Sequence, residues 1–199
     1  MPLKILNLYA GIGGNRKEWG REHEITAVEI NPNIGSIYKD LYPEDNVIIG
    51  DAHEYLRAHF REFDFIWASP PCPTHSRLQT SRMNDPALKY PDMTLYQEII
   101  FLKHFFKGKW VIENVKPYYE PLIQPSFMID RHYFWSNKFI FSIADGSTGC
   151  VVDKTKEELA EEYGFELEKL INKGVDVRKI LRNCVKPEIG RYILEELLK

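Results

Sequence analysis

The stretch that decides the fold is Lys4-Ile-Leu-Asn-Leu-Tyr-Ala-Gly-Ile-Gly-Gly14. A short apolar run, too brief for a helix, breaks into three glycines, Gly11, Gly13 and Gly14. Such a run reads as a buried strand entering a tight turn, because glycine tolerates positive φ and lets the backbone approach a ligand closely. A helix is expected to follow over Arg16–Arg21, its first amides free to meet polar or anionic ligand groups.

Working outward, short apolar runs at Glu24–Glu29, Val47–Ile49, Asp64–Ala68 and Lys109–Glu113 read as further strands. Helical patterns fill the gaps at Pro32–Leu41, Ala52–Phe60 and Thr94–Phe106. Strands alternating with helices predict βαβ units, hence an α/β Rossmann-like fold whose mostly parallel sheet carries helices on both faces. In such sheets the ligand lies beyond the carboxyl ends of the strands. After Asn114 the pattern changes. Tyr133–Trp135 and Lys138–Ile143 read as two β segments about a turn at Ser136-Asn137. Residues 155–199 then read as helices, opened by a capping box at Thr155-Lys-Glu-Glu158 and stopped once at Gly164. Pro187 suits a first helical turn, with Ile189, Ile193, Leu194 and Leu197 following at helical spacing.

The polar residues that interrupt this pattern fall at strand ends. Glu29 closes the second strand, at the distance past a glycine turn where an acid commonly bonds a ribose. Asp51 follows the third strand and suits an adenine amino group, or else caps the helix behind it. The fourth strand ends in Ser69-Pro-Pro-Cys72-Pro-Thr-His75. Prolines on both sides stiffen the chain and present the cysteine at the ligand edge, where a thiol activated by a lowered pKa or a base acts as a nucleophile. The fifth strand ends in Glu113-Asn-Val115. A carboxyl group there is costly to bury unpaired, and burial favours its protonated form, which suits a proton donor.

Taken together, Tyr9-Ala-Gly-Ile-Gly-Gly14, Pro70-Pro-Cys72 and Glu113-Asn-Val115 resemble the DNA (cytosine-5)-methyltransferase family, in that family's order. Arg182-Asn-Cys-Val185 resembles its last motif, usually Gly-Asn-x-Val before a helix. The resemblance implies S-adenosylmethionine as cofactor, held by Tyr9, Ala10, Gly11, Gly13, Gly14, Glu29, Ile30, Asp51, Ala52 and Pro70, with Asn183 and Val185 closing over its amino-acid end. It implies that Cys72 attacks carbon 6 of a cytosine while Glu113 bonds the ring nitrogen and amino group. The substrate it implies is duplex DNA with the target cytosine flipped out of the stack. RNA cytosine, a free cytidine nucleotide, or a non-catalytic DNA-binding role are the alternatives. The family's Arg-x-Arg pair finds only Arg131 here, with Tyr133 at the second arginine position. Arg131 is thus a candidate contact to the target base, its alternative being an ion pair with Asp130 or a neighbour.

The 199 residues fit one domain, within which residues 144–181 are a much reduced helical target-recognition insert. Acids outnumber bases over Asp153–Lys179, so specificity is expected to be short or supplied by a partner protein. The loop bearing His75, Arg77, Gln79, Thr80, Ser81, Arg82 and Lys89 reads as a polar, basic lid. A net charge of −3 weighs against strong non-specific nucleic-acid binding. Cys72, Cys150 and Cys184 are scattered and odd in number, so a reducing compartment, no disulfide framework and no metal are expected. No signal peptide or membrane span is evident, and a cytoplasmic location is the expectation.

Overall fold

A computed structural model describes residues 2–82, 89–141, 154–171 and 173–199. Seven strands form one sheet: β1 (Lys4–Leu8), β2 (Glu24–Glu29), β3 (Asn46–Ile49), β4 (Phe65–Ala68), β5 (Lys109–Val115), β6 (Phe127–Ile129) and β7 (His132–Ser136), in the order β3-β2-β1-β4-β5-β7-β6. The first five are parallel, whereas β7 runs antiparallel to β5 and β6 antiparallel to β7. The strand order reverses between β1 and β4, the switch point beyond whose carboxyl ends open sheets of this kind form a ligand crevice. The glycine loop leaves β1 at this point and the Pro-Pro-Cys segment leaves β4.

The central strands are continuous apolar runs because both sheet faces are covered. Leu6, Leu8, Ile66, Ala68 and Ile112 pack under α2 (Ala52–His59) and α3 (Thr94–Phe105). Their neighbours Ile5, Phe65, Trp67 and Val111 point the other way, toward Ile189, Ile193 and Leu197 of α7 (Pro187–Leu198). Helix α1 (Pro32–Leu41) is capped by the Asn31 side chain and buries Ile37 and Tyr38. Among the described residues no helix is long and apolar enough to cross a membrane.

Two sequence expectations are corrected. Residues 16–21 form turns rather than a helix. The Arg16 guanidinium holds both oxygens of buried Asp45 at 2.8 and 2.9 Å and donates to the Gly20 carbonyl at 3.0 Å. The Trp19 ring is buried against Phe65 and Trp67, with Nε1 donating to the Gly190 carbonyl at 3.1 Å. These contacts to distant segments outweigh local helix propensity, so the amides expected of a helix N-terminus are not offered by one here. Second, Lys138–Phe141 is irregular, and residues 142–143 lie outside the described residues. The partner of β7 comes instead from upstream, as β6, through a tight turn in which Asp130 takes φ +54°.

The capping box opens α4 (Lys156–Glu162), and Gly164, at φ +65°, follows its end. Then come α5 (Leu167–Leu170) and α6 (Val177–Arg182). Leu159, Tyr163, Phe165, Leu170, Ile180 and Leu181 from this region pack on Ile37 of α1 and on Ile12 of the glycine loop. The described part of residues 144–181 therefore packs on the glycine loop and α1.

Candidate active site

Beyond β1 the chain turns sharply. Tyr9 takes φ +55°, Gly11 +56° and Gly13 +75°. An aromatic residue in this region is strained, so its surroundings must hold it there. The Tyr9 hydroxyl donates to Glu98 Oε1 of α3 at 2.5 Å, and His53 Nδ1 of α2 lies 3.1 Å from the same oxygen. Burial raises the pKa of Tyr9 and of Glu98, whose side chain is wholly enclosed. One carboxyl group therefore ties together the glycine loop, α2 and α3.

Each glycine has its own reason. A Cβ on Gly13 would lie 2.6 Å from the Tyr42 ring, and Tyr42 also donates its hydroxyl to the Gly13 carbonyl. On Gly14 it would lie 2.6 Å from the Val185 carbonyl oxygen and 2.7 Å from Cys184 Cβ. Cys184 and Val185 are thus pressed onto the loop, while Asn183 beside them is exposed. Gly11 differs, with nothing within 4 Å of the position a Cβ would take.

That open flank is bordered by other residues the sequence singled out. Glu29, expected to meet a ribose, accepts from the Gly11 amide at 3.0 Å and from the Asn31 amide at 2.9 Å, so it braces the glycine loop. Each of its oxygens keeps a second lone pair for a ligand. Ile30, just past β2, is 68% exposed although apolar. Asp51 caps α2 through Oδ1, which accepts from the Glu54 amide at 3.0 Å, as its alternative reading had it. Ala52 is the buried first residue of that helix and Ala10 is buried in the loop. An open glycine flank with a carboxylate and an exposed apolar side chain beside it fits an adenosyl group.

The reactive edge follows β4 and β5, which pair up to Ala68 and Ile112. Asn114 donates its side-chain amide to the Pro70 carbonyl at 2.9 Å and so clamps the two strand ends together. The Cys72 carbonyl accepts from the amides of His75 and Ser76, both at 3.0 Å, and Gln79 Nε2 donates to the Pro73 carbonyl at 2.7 Å. Cys72 itself is half-buried. Burial pushes its thiol pKa up, the Glu113 charge pushes it further, and Arg131 opposes both. Glu113 is buried, and its carboxyl is raised to about 7 by desolvation, against the pull of a Ser69 hydrogen bond and of Arg131. A half-buried thiol and a buried carboxyl group thus stand close enough at adjacent strand ends for the carboxylate charge to disfavour the thiolate.

Arg131 sits in the β6–β7 turn and donates Nη2 to the Arg182 carbonyl at 2.9 Å, beside the last motif. It is brought to the reactive edge as a nearby positive charge. Of the expected lid, Arg77, Thr80 and Lys89 are exposed, and residues 83–88 together with the side chains of Ser81 and Arg82 lie outside the description. Gln79 is turned inward. His75 is buried, with Nδ1 2.5 Å from the Tyr119 hydroxyl, so it is no phosphate-facing residue. Sequence reading missed His132, which is buried with Nε2 3.6 Å from Glu113 Oε1. Its one legible signal was a position next to Arg131. Ser69 and Glu98 were missed too, since neither stands in a pattern that a linear sequence displays.

A reversed-order parallel sheet with this glycine loop and this carboxyl-end crevice defines a Rossmann-like S-adenosylmethionine-dependent methyltransferase fold. The solved structure of methyltransferase EhMeth from Entamoeba histolytica aligns over 100% of this chain and 98% of that one, with a TM-score of 0.60 and 13% identity, a likeness of fold alone. A sequence profile described as C-5 cytosine-specific DNA methylase matches residues 3–121. The chain therefore belongs to the C-5 cytosine-specific DNA methylase family, and S-adenosylmethionine is the cofactor that goes with this fold and family. A tRNA (cytosine(38)-C(5))-methyltransferase of Spodoptera frugiperda is 37% identical over 83 residues, 39% of this chain and 25% of that protein. Its namesake in Mus musculus is 29% identical over 92 residues, 43% of this chain and 22% of that protein. The chain thus spans about a quarter of the length of these curated relatives. A solved structure of the Spodoptera frugiperda DNMT2 is 32% identical with a TM-score of 0.42, covering 57% of this chain and 35% of that one.

Proposed function

We propose that this chain methylates carbon 5 of a cytosine in nucleic acid, with Cys72 as nucleophile and Glu113 as proton donor. The observation that carries the reading is the placement of half-buried Cys72 and buried Glu113 just beyond the carboxyl ends of the paired strands β4 and β5. Carbon 5 of cytosine is a weak nucleophile until an adduct forms at carbon 6. In the first step the Cys72 thiol gives its proton to solvent and the sulfur, now a thiolate, bonds to carbon 6. The ring electrons move toward N3, which takes the Glu113 proton. S-adenosylmethionine, when bound, supplies an electrophilic methyl group. After transfer, a base removes the carbon 5 proton, the C5–C6 double bond re-forms, the Cys72 sulfur leaves, and N3 returns its proton to Glu113. An ionised Glu113 would oppose the thiolate, whereas a protonated one does not, so a single protonation state suits both groups. Arg131 adds positive charge that favours the thiolate. Tyr9, Gly11, Glu29, Ile30 and Asp51 would hold the adenosyl end, and Asn183 and Val185 the amino-acid end.

Two polynucleotides compete as substrate. Duplex DNA accords with the family's description. The curated relatives are named for tRNA, and this moves RNA ahead of DNA. The test is transfer of labelled methyl from S-adenosylmethionine to tRNA, duplex DNA and free cytidine monophosphate, side by side. Label in the tRNA supports the RNA reading and label only in duplex DNA reverses the order. Label in none of the three overturns the enzyme reading.

A further inference from the structure

His132 heads β7, and Phe134, two residues on, pairs with Glu113 of β5. Alternate residues of a strand share a face, so the imidazole stands on the same side as Phe134, whose ring meets it edge-on. His132 and Glu113 side chains are each only 9% exposed, with Nε2 3.6 Å from Oε1. Nδ1 is buried without a hydrogen-bond partner among the described residues.

These positions constrain the proton. Burial, then Arg131, then Lys186 drive the His132 pKa down to about 3, so the ring is neutral and carries one N–H. On Nδ1 that proton would meet no acceptor among the described residues, whereas on Nε2 it faces the Glu113 carboxyl oxygen. The proton therefore belongs on Nε2, facing the carboxyl group. At 3.6 Å the pair stands just outside hydrogen-bond reach, and a small rotation of either side chain closes the gap.

We propose that His132 is a positioning residue for Glu113: its Nε2–H donates to Oε1 and leaves Oε2 to carry the proton that meets the target ring. This rests on the reading of Glu113 as proton donor given above. The neutrality of the donor matters. A guanidinium in that position would hold the carboxyl ionised, whereas a neutral imidazole orients it and leaves its proton in place. The other groups facing Glu113 are Ser69, Cys72 and Arg131.

The test pairs a carbon-13 NMR titration of Glu113 with the pH profile of methyl transfer, in wild type, His132→Leu and His132→Gln. Loss of the donor in His132→Leu removes a hydrogen bond that favours the charged carboxylate, so the titration midpoint moves up by about half a pH unit or more. With it kcat falls about tenfold while KM for nucleic acid stays within about twofold, because orientation and not binding is lost. The glutamine amide restores an N–H near the Nε2 position, so His132→Gln holds the wild-type midpoint and recovers most of kcat. An unmoved midpoint and unchanged kcat in His132→Leu overturn the proposal, as does equal impairment of both variants, the mark of simple packing. Should His132→Leu not fold, His132→Met serves as the variant without a donor. If wild type transfers no methyl group, the functional reading falls. The titration then still decides whether His132 governs the carboxyl.

Discussion

The Cys72 thiol and the Glu113 carboxyl resist ionisation for the same first reason, burial, and each charge makes the other less favourable. Replacing Cys72 with serine removes the nucleophile at almost constant volume. It should abolish covalent trapping by nucleic acid containing 5-fluorocytosine and leave the thermal midpoint within about 2 °C, a change below roughly 1 kcal/mol for a chain of this size. Retained trapping would remove Cys72 from the chemistry. Glu113 carries a pH signature of its own. Its folded value of about 7 lies above the ordinary 4.5, so between these the folded state binds one more proton than the unfolded state. Stability must then fall as pH rises from about 4.5 through 7, by at most about 3 kcal/mol. Glu113→Gln lacks this titration and should gain stability over wild type between pH 5 and pH 8, read by thermal melts across that range. A gap that narrows toward pH 8 would refute the raised carboxyl. Both residues were legible in the sequence, since a thiol between prolines and a carboxyl group ending an apolar strand break the pattern around them. His132 and Glu98 were not legible, because their meaning lies in neighbours that only folding supplies.

Elements were legible where one periodicity ruled them. Helix α1 and strand β2 have the bounds that their sequence patterns predict, and the Thr155–Glu158 capping box forms as read. The failure at residues 16–21 is instructive, because helix propensity there competes with a buried guanidinium–carboxylate pair and a buried indole. Arg16→Met should be strongly destabilising, by about 3–5 kcal/mol, since Asp45 would keep a buried charge without its cation. Urea denaturation measures this, and a loss below about 1 kcal/mol would mean the pair contributes little. The junction between the glycine loop and the last motif gives a second prediction. In Gly14→Ala the new methyl group meets the Val185 backbone at 2.6 Å, and backbone cannot yield as a side-chain tip can. Such overpacking costs about 1–3 kcal/mol and pushes the two segments apart, so S-adenosylhomocysteine binding by calorimetry should weaken with it. Unchanged affinity would separate the last motif from the cofactor.

At the scale of the whole molecule, the alternation of strands and helices was enough to foresee a mostly parallel sheet with the glycine loop and Cys72 beyond the ends of its strands. The final hairpin was not foreseen, because three-residue β6 is too short to display a period. The profile match, residues 3–121, covers the glycine loop, Cys72 and Glu113, whereas Arg131, His132, Asn183 and Val185 lie beyond it. Cofactor binding belongs to the entire fold. S-adenosylhomocysteine at about 100 times its dissociation constant should add roughly 2.7 kcal/mol, while NAD should add nothing. A thermal shift with NAD and none with S-adenosylhomocysteine would contradict the cofactor assignment.

The seating of Cys184 and Val185 on Gly14, and of the Gly190 carbonyl on the Trp19 indole, has a consequence for how the molecule is born. Segments synthesised early wait on segments synthesised about 170 residues later. While the ribosome still holds residues 184–190, the turns at 11–19 lack their lining, and the nascent chain has no finished pocket for a nucleoside. Competence to take up the methyl donor should therefore arrive abruptly, once residues 184–190 have left the ribosome, and not grow in step with the emerging sheet.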